Sequence, residues 1–344
     1  MTSVKEVRVE EPPDGGAGRG RFVFTDAYSV FDWGRMPDPV PGKGAALCTT
    51  GAFNFELLDV NHVPSHYRGV YEEPDAAGEP LDLGDCESPP RAMAVDLVRT
   101  PELPYADGAY DYDAFHAAAG DAYLVPLEVV FRNRIPPASS LRDRAAPSEY
   151  GVDADGDEWP EGVVELPEPA VEFSTKFEET DRYLARAEAE RVAGAAELDR
   201  LEELALAVNH VVTRQAERCG MVHEDGKLEC LYDDGAIRVA DVVGTLDENR
   251  FSYDGQRLSK EVLRQYHRRE QPEWVEAVAA AKREADERDV ADWRSLCAVE
   301  PEPLPGPVLE TAADLYAAAT DAYTGSDWFD APSLASVVER VRAP

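Results

Sequence analysis

Three side chains in the segment GMVHEDGKLECLYDDGAIRVADVVGTLDENRF, Gly220 to Phe251, have the types and spacing of a phosphate-handling site: Lys227, Glu229 and Asp241. Two carboxylates fixed on strands offer hard oxygens to Mg²⁺ beside a nucleotide's phosphates, and a nearby ammonium neutralises phosphate as a point charge. The segment reads as a hairpin, because Asp233-Asp234-Gly235 supplies residues that tolerate positive φ between two β-prone runs. With a three-residue loop, Lys227 falls opposite Asp241 and Glu229 opposite Val239, so the three groups share one side of the ribbon. A solvated polar face on an amphipathic hairpin is the alternative.

Other groups in the chain suit anions. Arg132, Arg134, Arg142 and Arg144, with Ser139 and Ser140 between them, directly follow the apolar run YLVPLEVVF and form a candidate clamp for phosphate or carboxylate. Gly42-Lys43-Gly44 sets an ammonium at a helix start, where an anion can be met, although the spacing is not that of a Walker A loop and such a sequence is more often a plain turn. Lysine is scarce: six of the 34 basic residues. That scarcity singles out Lys43, Lys176 and Lys227 as kept for a compact ammonium. His62 and His66 are four apart, but Pro64 between them spoils a helical metal pair, and both read as loop or capping histidines.

The elements that must position these groups follow from periodicity. Strands are expected at Arg21–Thr25, Met93–Leu97 and Tyr123–Phe131, and one from Ala170 breaks at Ser174-Thr175-Lys176 and enters a helix. Helices are expected at Ala45–Leu58, 112–118, 260–269, 272–287 and 308–323, with a long amphipathic run from Thr180 to Cys219. The acidic stretches 71–90 and 145–168 read as loops. No repeat is present.

The chain has 344 residues and a net charge of -35, from 69 acidic and 34 basic residues. Its 44% hydrophobic content argues against disorder, so the acidity belongs to the surface and fits a high-salt cytoplasm. Nucleic-acid binding is disfavoured by the charge, and no run approaches the length of a membrane span. Five widely spaced cysteines suggest neither a disulfide framework nor a zinc site. A soluble cytoplasmic protein is expected, with assembly into a homo-oligomer left open.

Several segments together resemble the SAICAR synthetase (phosphoribosylaminoimidazole-succinocarboxamide synthase) family of purine biosynthesis. TDAYSVFD, PVPGKG, VPLEVVFRNR, EFSTKFEETDR, DGKLE, VADVVGTLDENRF and LSKEVLRQY are each similar to a family segment, and they occur in the family's order from Thr25 to Tyr266. The resemblance implies an α+β, ATP-grasp-like fold with two antiparallel-sheet lobes and C-terminal helices. The corresponding division is an N-terminal lobe at 1–122, a central lobe at 123–255 and a helical region at 256–344.

The same resemblance implies an ATP-dependent carbon–nitrogen ligase. It would join carboxyaminoimidazole ribotide (CAIR) to L-aspartate, giving SAICAR, ADP and phosphate, with Mg²⁺ as cofactor. By resemblance Glu229 and Asp241 hold the metal, and Lys227 lies beside the phosphates or the CAIR carboxylate. Arg132, Ser139, Ser140 and Arg250 hold CAIR, with Asp247 near its amine. Lys43 approaches ATP, whose adenine sits against the backbone from Tyr123 to Glu128, and Ser174, Thr175, Lys176 and Asp181 form a loop for aspartate or phosphate. The family's opening lysine motif matches only Lys5-Glu6-Val7-Arg8, which lacks its glycine. Two other readings compete. An inositol-phosphate kinase of the same fold would share Asp225 and Lys227 but needs proline and glycine where Met221 and Glu229 stand, and a non-catalytic acidic relative would not need the polar set at all.

Overall fold

Alternating apolar residues build two antiparallel sheets, and the helices fill the space around them. The computed structural model describes residues 4–342 apart from 107, 155, 289 and 291. Strands β1 (Lys5–Glu11), β2 (Gly18–Phe24), β3 (Tyr67–Tyr71) and β4 (Ala92–Leu97) form a sheet in the order β1-β2-β4-β3. A small ribbon pairs β5 (Tyr105–Ala106) with β6 (Ala109–Tyr110). The second large sheet contains β7 (Ala122–Ile135), β8 (Val164–Thr175), β9 (Met221–Asp233), β10 (Ala236–Ala240), β11 (Asn249–Tyr253) and β12 (Gln256–Arg257). Its order is β12-β11-β9-β7-β8, with β10 also on β9. Strands β10 and β11 pair with different halves of β9, so residues 241–248 cross from one to the other beside its middle.

Nine helices are present among the described residues: α1 (Lys43–Val60), α2 (Tyr112–Ala119), α3 (Leu141–Arg144), α4 (Arg186–Ala193), α5 (Leu198–Arg218), α6 (Glu261–Glu270), α7 (Pro272–Arg288), α8 (Gly306–Thr324) and α9 (Leu334–Arg342). Leu201, Ala205, Val208 and Val212 recur at helical spacing on α5 and are fully buried. They share a core with Val129 and Phe131 of β7 and Leu228 and Cys230 of β9, which alternate inward on the central sheet. The opposite face of that sheet is therefore left for polar residues. No described helix is long and apolar enough to cross a membrane. All five cysteines are free thiols.

The structure departs from the sequence-based expectations in four places. The β9–β10 turn has two central residues, Asp234 and Gly235 at φ 46° and 87°, because Asp233 pairs with Ala236. Two successive positive φ angles match the twist of a hairpin, which a three-residue loop would not require. Glu229 consequently faces Ala240, and Val239 faces Cys230. The amphipathic run after Thr180 is two helices rather than one. Gly194 breaks it at φ 70°, where a Cβ would come within 2.5 Å of the His116 ring. Residues 176–183 are not helical; they return to β8, where Tyr183 bridges Ser174. Finally, β8 begins at Val164, inside the stretch read as a loop, because Val164 and Leu166 pack with Ile135 and Leu141 in a separate small core.

Candidate active site

One face of the central sheet carries the polar residues in register. On β7 these are Glu128 and Arg132, with the apolar Val130 between them; on β9 the cross-strand partners of Glu128, Val130 and Arg132 are Glu229, Lys227 and Asp225. Ser174 and Glu172 on β8 extend the first two rungs, and Arg250 on β11 extends the third beside Asp225. Period 2 accounts for the set, since each member is two residues from the next along its strand.

This face is divided between two cavities. The larger, about 1220 Å³, lies between the two sheets; Lys5, Phe22, His66, Leu124, Lys176, Glu229 and Asp241 are among its walls. The smaller, about 380 Å³, is lined by Glu128, Arg132, Ser174, Asp225, Lys227, Asp247, Arg250, Lys260 and Arg264, among others. The boundary is the rung formed by Glu128 and Glu229, one carboxylate on each side.

Opposed charges meet along that boundary. Lys227 donates to Glu128 at 2.7 Å and lies 3.5 Å from Glu248, and Lys176 is paired with Glu229. Burial acts to raise the Glu229 carboxyl, but Lys176, Lys5 and Lys227 outweigh it and hold it below its ordinary value. At Glu128 burial prevails over Lys227 and Lys176, and its carboxyl is raised. Adjacent carboxyls are thus driven in opposite directions.

Asp241 reaches the larger cavity by a backbone device. Continued as a strand from Ala240, the chain would turn Asp241 to the face opposite Glu229. Instead Asp241 adopts φ 63°, ends the ladder and pairs with Lys5 of β1. The neutral His66 ring packs against this kink, with Nε2 3.1 Å from the Asp241 carbonyl and Nδ1 3.2 Å from that of Asp96, and its single N–H donates to one of the two. Burial pushes Lys5 down to about 8 against the attraction of Glu229 and Glu248.

In the smaller cavity Arg132 donates to Glu172 at 2.7 Å and to the Tyr183 hydroxyl at 2.8 Å, and lies 3.6 Å from Asp225. Arg250 also holds Asp225, at 2.8 Å. Asp247 is gripped at both oxygens, by Lys43 at 2.6 Å and by the Tyr316 hydroxyl at 2.7 Å.

Most of the residues expected from sequence meet at these cavities, with informative exceptions. Lys43 is fully buried against Asp247 and lines neither cavity. Tyr123 is also buried: its ring faces the helices, and its hydroxyl donates to the Ala193 carbonyl at 2.8 Å. Ser139 and Ser140 lie outside the smaller cavity, the first buried beside the Leu141 amide and the second exposed, because the chain turns into α3 past the end of the sheet. Thr175 is buried and accepts from the Arg182 amide at 3.1 Å, so it shapes its loop, whereas Ser174 and Asp181 line the cavity. Among the described residues no three His, Cys, Asp or Glu side chains form a metal-binding group. Glu229 and Asp241 stand as a carboxylate pair on one cavity, a donor set suited to a hard cation that takes its remaining ligands from phosphate and water.

Tyr183, Glu248, Ser259, Lys260, Arg264 and Tyr316 were not singled out as site residues from the sequence, and Lys5 entered only as the incomplete match to the family's opening lysine motif. Two signals pointed that way. LSKEVLRQY contains Ser259, Lys260 and Arg264, and scarcity of lysine applies equally to Lys5 and Lys260.

Comparison with known proteins identifies the family. The family model described as SAICAR synthetase matches residues 15–281. An Archaeoglobus fulgidus protein provisionally assigned as phosphoribosylaminoimidazole-succinocarboxamide synthase is 39% identical over 350 residues, covering 99% of each chain. The phosphoribosylaminoimidazole-succinocarboxamide synthase of Thermoplasma volcanium is 31% identical over 72% of this chain and 77% of its own. A SAICAR synthetase solved in complex with ADP superposes with a TM-score of 0.54 at 26% identity, covering 77% of this chain and 88% of that one. With an α+β fold, two antiparallel sheets and a match of this extent, the chain belongs to the SAICAR synthetase family, the ATP-dependent ligases of purine biosynthesis.

Proposed function

We propose that the larger cavity takes ATP and the smaller one CAIR, and that the Glu128/Glu229 rung marks where the γ-phosphate meets the CAIR carboxylate. The observation that carries this reading is the division of one sheet face into two cavities, with Lys176 on one side of the rung and Lys227 on the other. The larger cavity combines apolar walls, which suit a purine, with Lys5, Lys176 and a carboxylate pair. The smaller is rich in cations that suit a phosphorylated sugar. A related synthetase binds ADP, which supports a nucleotide site in this chain.

Chemistry requires such an arrangement. A carboxylate is a poor acceptor for an amine until one oxygen becomes a leaving group. Transfer of the γ-phosphate to a CAIR carboxylate oxygen breaks the bond to ADP and creates an acyl phosphate. The amine of L-aspartate then forms the amide bond as phosphate departs. Lys227 neutralises the oxygens on the acceptor side, Lys176 and Lys5 those of the nucleotide, and the sheet holds donor and acceptor in line. Glu229 and Asp241 would hold Mg²⁺, which supplies charge neutralisation on the phosphates. Arg132 and Arg250 bind the CAIR phosphate or carboxylate, and Asp247 orients its amine.

The test is ADP release from ATP with CAIR, with and without L-aspartate, in molar KCl. Release is expected only with aspartate and in step with SAICAR. Equal release without aspartate, or no SAICAR, refutes the assignment. Retention of Glu229 where the kinase signature requires glycine favours the ligase over the kinase reading.

A further inference from the structure

Helices α1 and α8 pack through an apolar interface that contains a line of polar groups. Tyr316, Thr320 and Tyr323, spaced by four and three on α8, face Lys43, Thr50 and Asn54 on α1, and all six are buried. The Thr50 and Thr320 hydroxyls are 3.0 Å apart, and Tyr323 donates to Asn54 at 2.8 Å. This seam ends on the segment that crosses between β10 and β11. Asn54 donates to the Val243 carbonyl at 3.3 Å and fills the space beside Gly244, at φ 68°, where a Cβ would lie 2.3 Å from its amide nitrogen. Tyr316 and Lys43 each hold one oxygen of Asp247. An apolar interface would pack as well, so the specific gain from these polar groups is a fixed conformation of the crossing segment.

We infer that Tyr316 is a positioning residue for the ligase reaction: through its hydroxyl, helix α8 holds the Asp247 carboxylate in place in the wall of the smaller cavity. Tyr316 lies outside residues 15–281, the part matched by the family model. The inference rests on the assignment of Asp247 to the CAIR cavity. The groups facing Asp247 are Lys43 from α1, Lys260 at the start of α6 and Tyr316 from α8, with Arg264 of α6 near the phenol. Burial acts to raise the Asp247 carboxyl, but Lys43, Lys260 and the Tyr316 hydrogen bond outweigh it and hold it below its ordinary value. Tyr316 itself, raised by burial and by Asp247, remains a neutral donor.

The experiment is Tyr316→Phe, which removes one oxygen and keeps the ring. Loss of a hydrogen bond to a carboxylate raises its pKa, so the acidic limb of kcat/KM for CAIR should move up by about one pH unit. Turnover should fall about tenfold or more while KM for ATP stays within about twofold. Thr320→Val removes a neighbouring contact of the seam without touching Asp247, and should lower Tm without moving that limb. In an Asp247→Asn background, Tyr316→Phe should cause no further loss. An unmoved limb with normal turnover, an equal shift in Thr320→Val, or failure of Tyr316→Phe to fold overturns the positioning role. Absence of SAICAR from the wild-type protein would instead overturn the functional reading itself.

Discussion

Replacing Arg132 by methionine probes the smaller cavity where charge and burial can be separated. The guanidinium is 4% exposed and faces Glu172 and Asp225, whose side chains are 9% and 5% exposed. Removing one partner from a buried pair typically costs about 3–5 kcal/mol, because the remaining charge is left uncompensated. Here each carboxylate keeps one cation, Arg144 at 2.6 Å from Glu172 and Arg250 at 2.8 Å from Asp225. The expected loss is therefore about 2–3 kcal/mol at neutral pH. At about 2 cal/mol/K of unfolding entropy per residue, that lowers Tm by about 3–4 °C in a chain of this length. The sign of the pH dependence is set by Asp225, which burial already raises in the presence of Arg132 and Arg250. Without Arg132 it rises further. A carboxyl raised in the folded state is penalised only when ionised, so the penalty is full above its folded pKa and disappears as pH falls toward the unfolded value of about 4. Calorimetry of both proteins at about pH 7.5 and about pH 5 should show a Tm gap that narrows at the lower pH. A gap independent of pH, or none at the higher pH, would refute the uncompensated-charge argument.

Two further substitutions test the larger cavity. Glu229→Gln keeps shape and removes charge, so it should leave the Tm within a few degrees yet cut turnover by about 10²-fold or more; near-normal turnover would exclude Glu229 from the metal site. Lys5, brought down to about 8 by burial, must be protonated to attract phosphate. ATP affinity measured by titration calorimetry should weaken about tenfold between about pH 7 and about pH 9, and Lys5→Met should bind more weakly without that dependence. A slope that persists in the variant would assign the titration to another group.

The contrast between what the sequence conveyed and what it did not lies in the range of the information. Lys227 and Glu229 were legible because period 2 along a strand determines which side chains share a face, Arg132 because it follows an apolar run in a cluster of arginines, and Glu128 and Ser174 only through the family resemblance. Asp241 shares a cavity with Glu229, but not by the route the sequence suggested. The three-residue turn assumed for the hairpin made it a cross-strand neighbour of Lys227, whereas the two-residue turn would have reversed its face and a positive φ at Asp241 restores it. No local pattern announces such a kink. Ser139 and Ser140 were attractive as hydroxyls beside arginines, but their placement depends on where β7 ends and α3 begins. Lys5 and Tyr316, 236 and 69 positions along the chain from the carboxylates they hold, are joined to the site only by tertiary packing.

Lysine usage connects the extremes of this chain. A surface with a net charge of -35 repels anionic substrates, so attraction must come from groups close to them. Five of the six lysines are at the site: Lys5 and Lys176 line the larger cavity, Lys227 and Lys260 the smaller, and Lys43 holds Asp247. Four of these are paired with a carboxylate: Lys5 with Asp241, Lys43 with Asp247, Lys176 with Glu229 and Lys227 with Glu128. An unpaired ammonium at these depths would be costly, and pairing avoids that cost before substrates arrive. Under the proposed function, incoming phosphates would compete with Asp241, Glu229 and Glu128 for the ammoniums of Lys5, Lys176 and Lys227. Lys43 differs because it is fully buried and Asp247 is held on its other oxygen by Tyr316, so this pair is retained as a fixed part of the wall. On that proposal the same residue type would serve as exchangeable countercharge in three places and as scaffold in one, and the difference follows from burial and from the second partner of each carboxylate.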